Sequence, residues 1–356
     1  MISRGKFDGA VAIDYKSGNF MFFRAKAVVL ASGGAGRLYK ITTNAAQDTG
    51  NGYAIAYRIG AKLVDMEMVQ FHTTGMVYPK SHEGQLVTEA VRGEGGILLN
   101  IHKERFMHRY EPKLLELAGR DVLARSIATE ILEGRGTPEG GVYLDISHLP
   151  ANLIEERLSS MLRQFLNVGV DIRKQPMQVA PTAHHFMGGV QINENAETNI
   201  VGIYAAGEVT GGIHGGNRLG GNALADTQVF GKIAGQNAAE YALKNSLLPI
   251  NKKHISHEIR HAKSFLENKE GVRPFEIKKR LTSLMWDKVG IFRTEKGLQE
   301  AITEIERIKK EIPNIWVMDK RTRYNREWIE ALEIKNMVMV AEMVAKAALM
   351  RKESSL

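Results

Sequence analysis

Gly202-Ile203-Tyr204-Ala205-Ala206-Gly207-Glu208, followed closely by His214-Gly215-Gly216-Asn217-Arg218-Leu219-Gly220-Gly221-Asn222-Ala223-Leu224, decides how this chain is read. The first run is a short apolar strand ending in glycine and an acid. The second puts a fixed cation among glycines, just where a helical pattern begins. Glycines let backbone approach a ligand closely, and a helix start offers unpaired amides, so the pair of runs suits an anion held beside a cofactor. A glycine-rich surface turn with a solvated arginine is the alternative. The rest of the chain must decide between them.

Upstream, Ala27-Val28-Val29-Leu30-Ala31 reads as a buried strand running into Ser32-Gly33-Gly34-Ala35-Gly36. Nucleotide-binding sheets present backbone amides in this way, although an ordinary tight turn has the same composition. No complete G-x-G-x-x-G run occurs. Residues 9–26 read as a hairpin with a Ser-Gly-Asn turn. Tyr53 to Gly60 has helical apolar spacing closed by glycine, and Leu63 to Met68 reads as a second strand. Asn100 to Tyr110 is charged and is expected to loop over the surface. Ala118 to Glu133 and residues 151–166 read as helices, with a strand at Val142–Ile146 between them. Ala225 to Lys244 is helical, and its small residues suit packing on a sheet. Beyond Leu247-Leu248-Pro249-Ile250, four charged helices are expected at about 253–268, 274–288, 294–311 and 324–352. In the last, Met337 to Ala345 gives a buried face, with Glu342 and Lys346 paired outside it.

At 356 residues, with 25% charged and 44% hydrophobic residues, the chain has ordinary globular composition and length for two or three lobes. No apolar run reaches membrane-spanning length, and Met1 to Lys6 lacks the apolar core of a signal peptide, so a cytoplasmic home is expected. Cysteine is absent, which excludes disulfides and cluster ligation by this chain's thiolates. The net charge is +8, but the basic residues are interspersed with acids, an unfavourable pattern for nucleic-acid binding.

The ionisable residues beside glycines are His72, Glu89, Arg92, Arg120, His184 and Arg218. Several arginines with two histidines would neutralise a small dianion, and the planar guanidinium fork matches carboxylate geometry. Singly, each has a structural explanation as well. His184 and His185 are adjacent and point apart on a strand, and no H-E-x-x-H set occurs, so no catalytic metal is expected. The absence of a G-x-S-x-G elbow or a Walker loop disfavours hydrolase and phosphotransfer chemistry.

Six runs, in order, carry a resemblance: Ala31-Ser32-Gly33-Gly34-Ala35-Gly36, Phe71-His72-Thr73-Thr74-Gly75, Thr88 to Gly96, Ala118-Gly119-Arg120-Asp121, Pro181-Thr182-Ala183-His184 with Met187-Gly188-Gly189, and His214 to Leu224. Together they resemble the flavoprotein subunit of succinate dehydrogenase and fumarate reductase over nearly the whole chain. L-aspartate oxidase shares much of the pattern, and Gly119-Arg120-Asp121 with Asn217 to Asn222 is closer to the dehydrogenase/reductase branch.

The resemblance implies an α/β fold. Its parts would be a partial Rossmann-like FAD-binding domain (1–67 and 184–246), an inserted capping domain (68–183) and a C-terminal helical domain (251–356). It implies that His72, Thr88, His184 and Arg218 hold the carboxylates of fumarate or succinate. Arg120 would be the proton donor, with Glu89 and Arg92 relaying to it. FAD would contact Ser32, Gly33, Gly34, Asn51, Glu208, Ala223 and Leu224; Asn51 stands where the family usually has aspartate. An iron–sulfur subunit would carry electrons, and a membrane anchor would be reached through that complex, on the inner face. The family's strand and G-x-G-x-x-G segment do not precede Met1, and Ser355-Leu356 stands where Arg-Gly-Ala-His usually follows. From this the chain alone is expected to bind FAD weakly or not at all. A catalytically inactive fragment is then the alternative to an enzyme.

Overall fold

Val28–Leu30 and Ile203–Ala205 pair in parallel, with Val28 opposite Ile203 and Leu30 opposite Ala205. Parallel pairing places the two carboxyl ends at one edge, so Ala31 to Gly34 and Ala206 to Glu208 emerge together. The 23-residue helix Asn222–Lys244 packs against Ile203–Ala205. Only Asp226 and Ala234 of this helix are buried; the expected packing of its small residues on a sheet is confined to the Ala234 side, and Gly235 is exposed. The computed structural model describes residues 2–3 and 5–353; the sequence features at Met1, Arg4 and Ser354 to Leu356 lie outside them.

The chain forms two compact units. The first lies within Met1–Lys40, Ala45–Val69 and His185–Leu356; the second comprises Ile41–Asn44 and Gln70–His184. In the first unit, Ala10–Ile13 and Phe20–Phe23 form the expected antiparallel hairpin. A three-stranded sheet joins Thr210–Gly211, Gly189–Gln191 and Leu63–Val64. Here glycine is obligatory on steric grounds: a Cβ on Gly188 would sit 1.9 Å from the Asp65 carbonyl oxygen. The strand expected at Leu63 to Met68 stops at Val64 because the backbone turns at Asp65, whose φ is +52°.

Segment 251–356 packs within this same compact unit. The helices Lys252–Glu267, Pro274–Lys288, Glu295–Glu311 and Arg326–Met350 lie close to the four expected. Arg326–Met350 packs against Pro274–Lys288, Glu295–Glu311 and the helix Asn51–Arg58, which ties the helical segment to the strands. Its N-cap Asn325 accepts from the Trp328 amide at 2.9 Å, and the Trp328 indole, fully buried, donates to the Ala262 carbonyl at 2.7 Å. Both ends of that contact are satisfied, which a buried indole requires.

In the second unit a four-stranded sheet runs in the order Val69–Met76, Met177–Phe186, Val142–Asp145, Ile97–Leu99. The helix Arg120–Leu132 and two short helices cover a core that includes Met76, Leu98, Leu123, Ile127, Leu144 and Phe165. Two expectations are corrected here. Asn100 to Tyr110 is only partly a surface loop: His102 to Glu104, His108 and Arg109 are exposed, but Asn100, Phe106 and Met107 are buried, and Met107–Tyr110 is helical. The reason is the buried Glu130 carboxylate, which takes hydrogen bonds from Asn100, Arg109, Tyr110 and Arg135 and draws the segment inward. The helix expected over 151–166 is two, Ala151–Arg157 and Ser159–Leu166, interrupted where Leu158 leaves helical geometry and buries its side chain.

Among the described residues, no helix is long and apolar enough to cross a membrane, and no group of three or more His, Asp or Glu side chains could hold a metal ion.

Candidate active site

The second unit gathers six of the seven ionisable and hydroxyl residues singled out for catalysis and substrate binding. Arg120 is the first residue of the helix Arg120–Leu132, so its side chain is aimed by the helix start. Its Nε donates to Glu89 Oε1 at 2.6 Å and its Nη1 donates to Gln70 Oε1 at 2.8 Å. The same Glu89 oxygen accepts from Arg92 Nη2 at 3.4 Å. Arg92 lies on the one-turn helix Ala90–Gly93, is buried, and donates through Nη1 to the Glu116 carbonyl at 2.6 Å. One carboxylate therefore bridges two guanidinium groups in an unbroken line, Arg92 to Glu89 to Arg120. Hydrogen bonding and charge from Arg120 hold Glu89 below the usual carboxylate range despite partial burial. Burial lowers Arg92, with the Glu89 charge working against it.

His72 sits mid-strand on Val69–Met76 and is buried. Its Nδ1 accepts from the Thr74 amide at 3.2 Å, which leaves Nε2 to carry the proton of a neutral ring. Burial, reinforced by nearby His184 and Arg120, depresses its pKa to about 3. At neutral pH it is an uncharged donor. The His184 ring centroid is 5.1 Å from that of His72, and His184 Nδ1 lies 2.7 Å from the Thr43 hydroxyl. Thr88, half-buried, precedes Glu89 and accepts weakly from the Ala90 amide at 3.4 Å.

Gln70 and Thr43 escape a reading of the sequence. Neither is ionisable nor flanked by glycine. Gln70 stands two residues before His72, so strand periodicity puts both on one face, a signal that could have found it. Thr43 is far from His184 in sequence, and only the tertiary fold brings them together.

Arg218 belongs to the first unit. It is buried, and its Nη1 donates to the Leu219 carbonyl at 3.3 Å. At the carboxyl edge of the parallel pair, Glu208 Oε1 accepts from the Phe186 amide at 2.9 Å and Oε2 lies 3.4 Å from His185 Nδ1. A Cβ on Gly34 would lie 2.0 Å from Glu208 Oε1, and one on Gly52 would lie 1.8 Å from the Ser32 hydroxyl. Gly33 has φ +73°, in the left-handed region that favours glycine. Ser32, Gly33, Gly34 and Glu208 thus converge at the edge where open α/β sheets bind nucleotides. These residues fit a dinucleotide. Asn51 opens the helix Asn51–Arg58, and its Oδ1 accepts from Asn336 Nδ2 at 2.6 Å. Ala223 and Leu224 lie in the first turn of Asn222–Lys244, with Leu224 largely exposed.

Known proteins are similar to this chain in sequence and in fold. A sequence profile described as "FAD binding domain" matches residues 1–224, and one described as "Fumarate reductase flavoprotein C-term" matches residues 278–355. One chain of the fumarate reductase (CoM/CoB) of Methanothermobacter marburgensis is 51% identical over 364 residues, covering 99% of this chain and 64% of that protein. The mitochondrial succinate dehydrogenase [ubiquinone] flavoprotein subunit of Oryza sativa subsp. japonica is 36% identical over 369 residues, covering 99% of this chain and 58% of that protein. A solved structure of E. coli quinol fumarate reductase aligns with a TM-score of 0.92 at 35% identity, covering 99% of this chain and 63% of the other. The chain spans about three fifths of the length of the curated relatives it matches.

Proposed function

Because the chain belongs to the FAD-binding family of fumarate reductase and succinate dehydrogenase flavoprotein subunits, we propose that it interconverts fumarate and succinate. The observation that carries this reading is the hydrogen-bonded line Arg92–Glu89–Arg120 beside a buried, neutral His72. FAD is the family's cofactor, and when bound it supplies or accepts a hydride equivalent. Ser32, Gly33, Gly34, Asn51, Glu208, Ala223 and Leu224 are the residues that would hold it.

What the chain itself must provide for alkene reduction is a proton on one carbon and charge stabilisation for the carboxylates. Arg120 is proposed as the proton donor. A guanidinium with pKa above ~12 is a poor acid toward water, but a carbanion-like carbon is a far stronger base. Once Arg120 has given up its proton, the Glu89 carboxylate, 2.6 Å from Arg120 Nε, passes on to it a proton taken from Arg92, and Arg92 is reprotonated from solvent. Gln70 fixes the other edge of the guanidinium, so the donor is preorganised rather than recruited. His72, Thr88 and His184 are proposed to hold carboxylate oxygens. Neutral His72 does so as a hydrogen-bond donor, and Arg218 is proposed as a further carboxylate ligand. Electrons would pass to or from an iron–sulfur partner, since this chain has no cysteine. The proposed location is cytoplasmic or peripheral to the inner membrane face through partner subunits.

Replacing Arg120 by Ala in the flavin-loaded protein tests the assignment. Fumarate reduction should be lost with flavin still bound, and unimpaired turnover would remove Arg120 from the mechanism.

A further inference from the structure

We propose that His214 and Asp226 are positioning residues: they fasten the base of the glycine loop 215–221 and so set how tightly Arg218 holds a carboxylate. This rests on the reading of Arg218 as a carboxylate ligand. His214 stands immediately before the loop, and Asp226 is the fifth residue of the helix Asn222–Lys244 that follows it. His214 Nε2 lies 3.4 Å from Asp226 Oδ2, with side chains 10% and 3% exposed, so the contact joins the loop's two ends inside the fold.

At its second end the loop is also tied by the Asn222 amide donating to the Leu219 carbonyl and the Leu224 amide donating to that of Gly221. Gly215 (φ +61°) and Gly221 (φ +82°) are both left-handed, and neither has any atom within 4 Å of where a Cβ would stand. Leu219, between them, is 73% exposed. The buried pair is under electrostatic load of its own. Among the described residues, neither Asp226 Oδ1 nor His214 Nε2 has a hydrogen-bond partner, so the pair meets at ion-pair distance rather than through an aligned hydrogen bond; Nε2 of the buried His185, whose ring lies edge-on to His214 at 5.5 Å, is likewise without one. The charged and titratable groups facing His214 are Asp226, His185 and Arg218; those facing Asp226 are His214 and His185. Burial raises the Asp226 carboxyl and lowers the His214 imidazole, and the charge of each partner opposes both shifts. Each residue is the other's principal compensation, and a buried carboxylate that loses its partner must rearrange or take up a proton.

The test compares Asp226→Asn, Asp226→Glu and Arg218→Ala with the parent in the flavin-loaded protein. Hydrogen exchange of residues 215–221 and the steady-state constants for fumarate are the readouts. Asp226→Asn should speed exchange of the loop amides by about tenfold, local opening being set by local contacts. It should raise KM by about tenfold and change kcat by less than about twofold, the pattern for lost ground-state binding. Asp226→Glu should restore part of both. If Asp226→Asn does not fold, His214→Gln is measured in its place with the same expectation. Unchanged exchange and KM in a folded variant overturn the positioning role. If Arg218→Ala also leaves KM unchanged, the reading of Arg218 as a carboxylate ligand fails instead.

Discussion

Two histidine-centred clusters, one in each unit, solve the problem of buried charge differently. Around His72, each charged group has a hydrogen-bonded partner, although Arg92 Nε itself has none among the described residues. Glu89 is shared by two guanidinium groups, Arg120 has two acceptors, and the imidazole is neutral well below physiological pH. Around His214, the carboxylate of Asp226 keeps an oxygen without a donor, and burial moves acid and base toward their neutral forms. The first cluster fixes charge states in advance, as a proton relay requires. The second leaves one proton's position sensitive to its surroundings, as suits a joint rather than a relay. What sets them apart is hydrogen-bond capacity, since both contain histidine and carboxylate.

The largest test of this contrast is the loss of Arg120. Arg120→Ala should lower fumarate reduction on the order of 10²–10⁴-fold, the usual range for a general acid, while flavin absorbance is retained. Glu89→Gln comes next. It removes the charge shared by Arg92 and Arg120, and stopped-flow reduction should slow on the order of 10²-fold. If Glu89→Gln turns over as the parent does, the relay is no relay and the contrast collapses.

Stability gives smaller measures. Gly34→Ala puts a Cβ 2.0 Å from Glu208 Oε1, and should cost about 1–3 kcal/mol in denaturant unfolding together with weaker flavin retention. His72 is neutral in the folded chain and takes up a proton near pH 6.5 when unfolded. Between pH 6.5 and about 3 the unfolded state therefore binds more protons, and stability falls as pH falls, by at most about 1.4 kcal/mol per pH unit from this residue. His72→Asn should flatten that window when melts are recorded across it. Smallest of all is Lys346→Ala, which breaks the exposed ammonium's contact with Glu342 and should shift stability by no more than about 0.5 kcal/mol.

The long helices were legible from the charged composition beyond Ile250, whereas the caps that open two of them, Asn325 and Thr294, each accepting from a backbone amide, went unread. The two strands of the parallel pair were legible as apolar runs ending in glycine, but their parallel pairing was not. Hidden features depended on contacts distant in sequence. Nothing around Asn100 announces that Glu130, a helix away, will draw a charged segment inward. Nor does Asn51 announce Asn336. Within the catalytic cluster, glycine-flanked charges were visible as candidates, whereas the groups that aim them, Gln70 and Thr43, look like any polar residue until the chain is folded.

The parallel pair Val28–Leu30 and Ile203–Ala205 also bears on how the protein is made. Its partners lie roughly 175 positions apart along the chain, with all of the second unit encoded between them. Closing so long a loop is entropically late and slow, whereas Gln70–His184 is contiguous and can find its own contacts first. On the ribosome, the edge bearing Gly34 and Glu208 cannot close until Ala205 has emerged. The proton-relay residues are therefore available to fold before the nucleotide edge exists, and flavin should be acquired last.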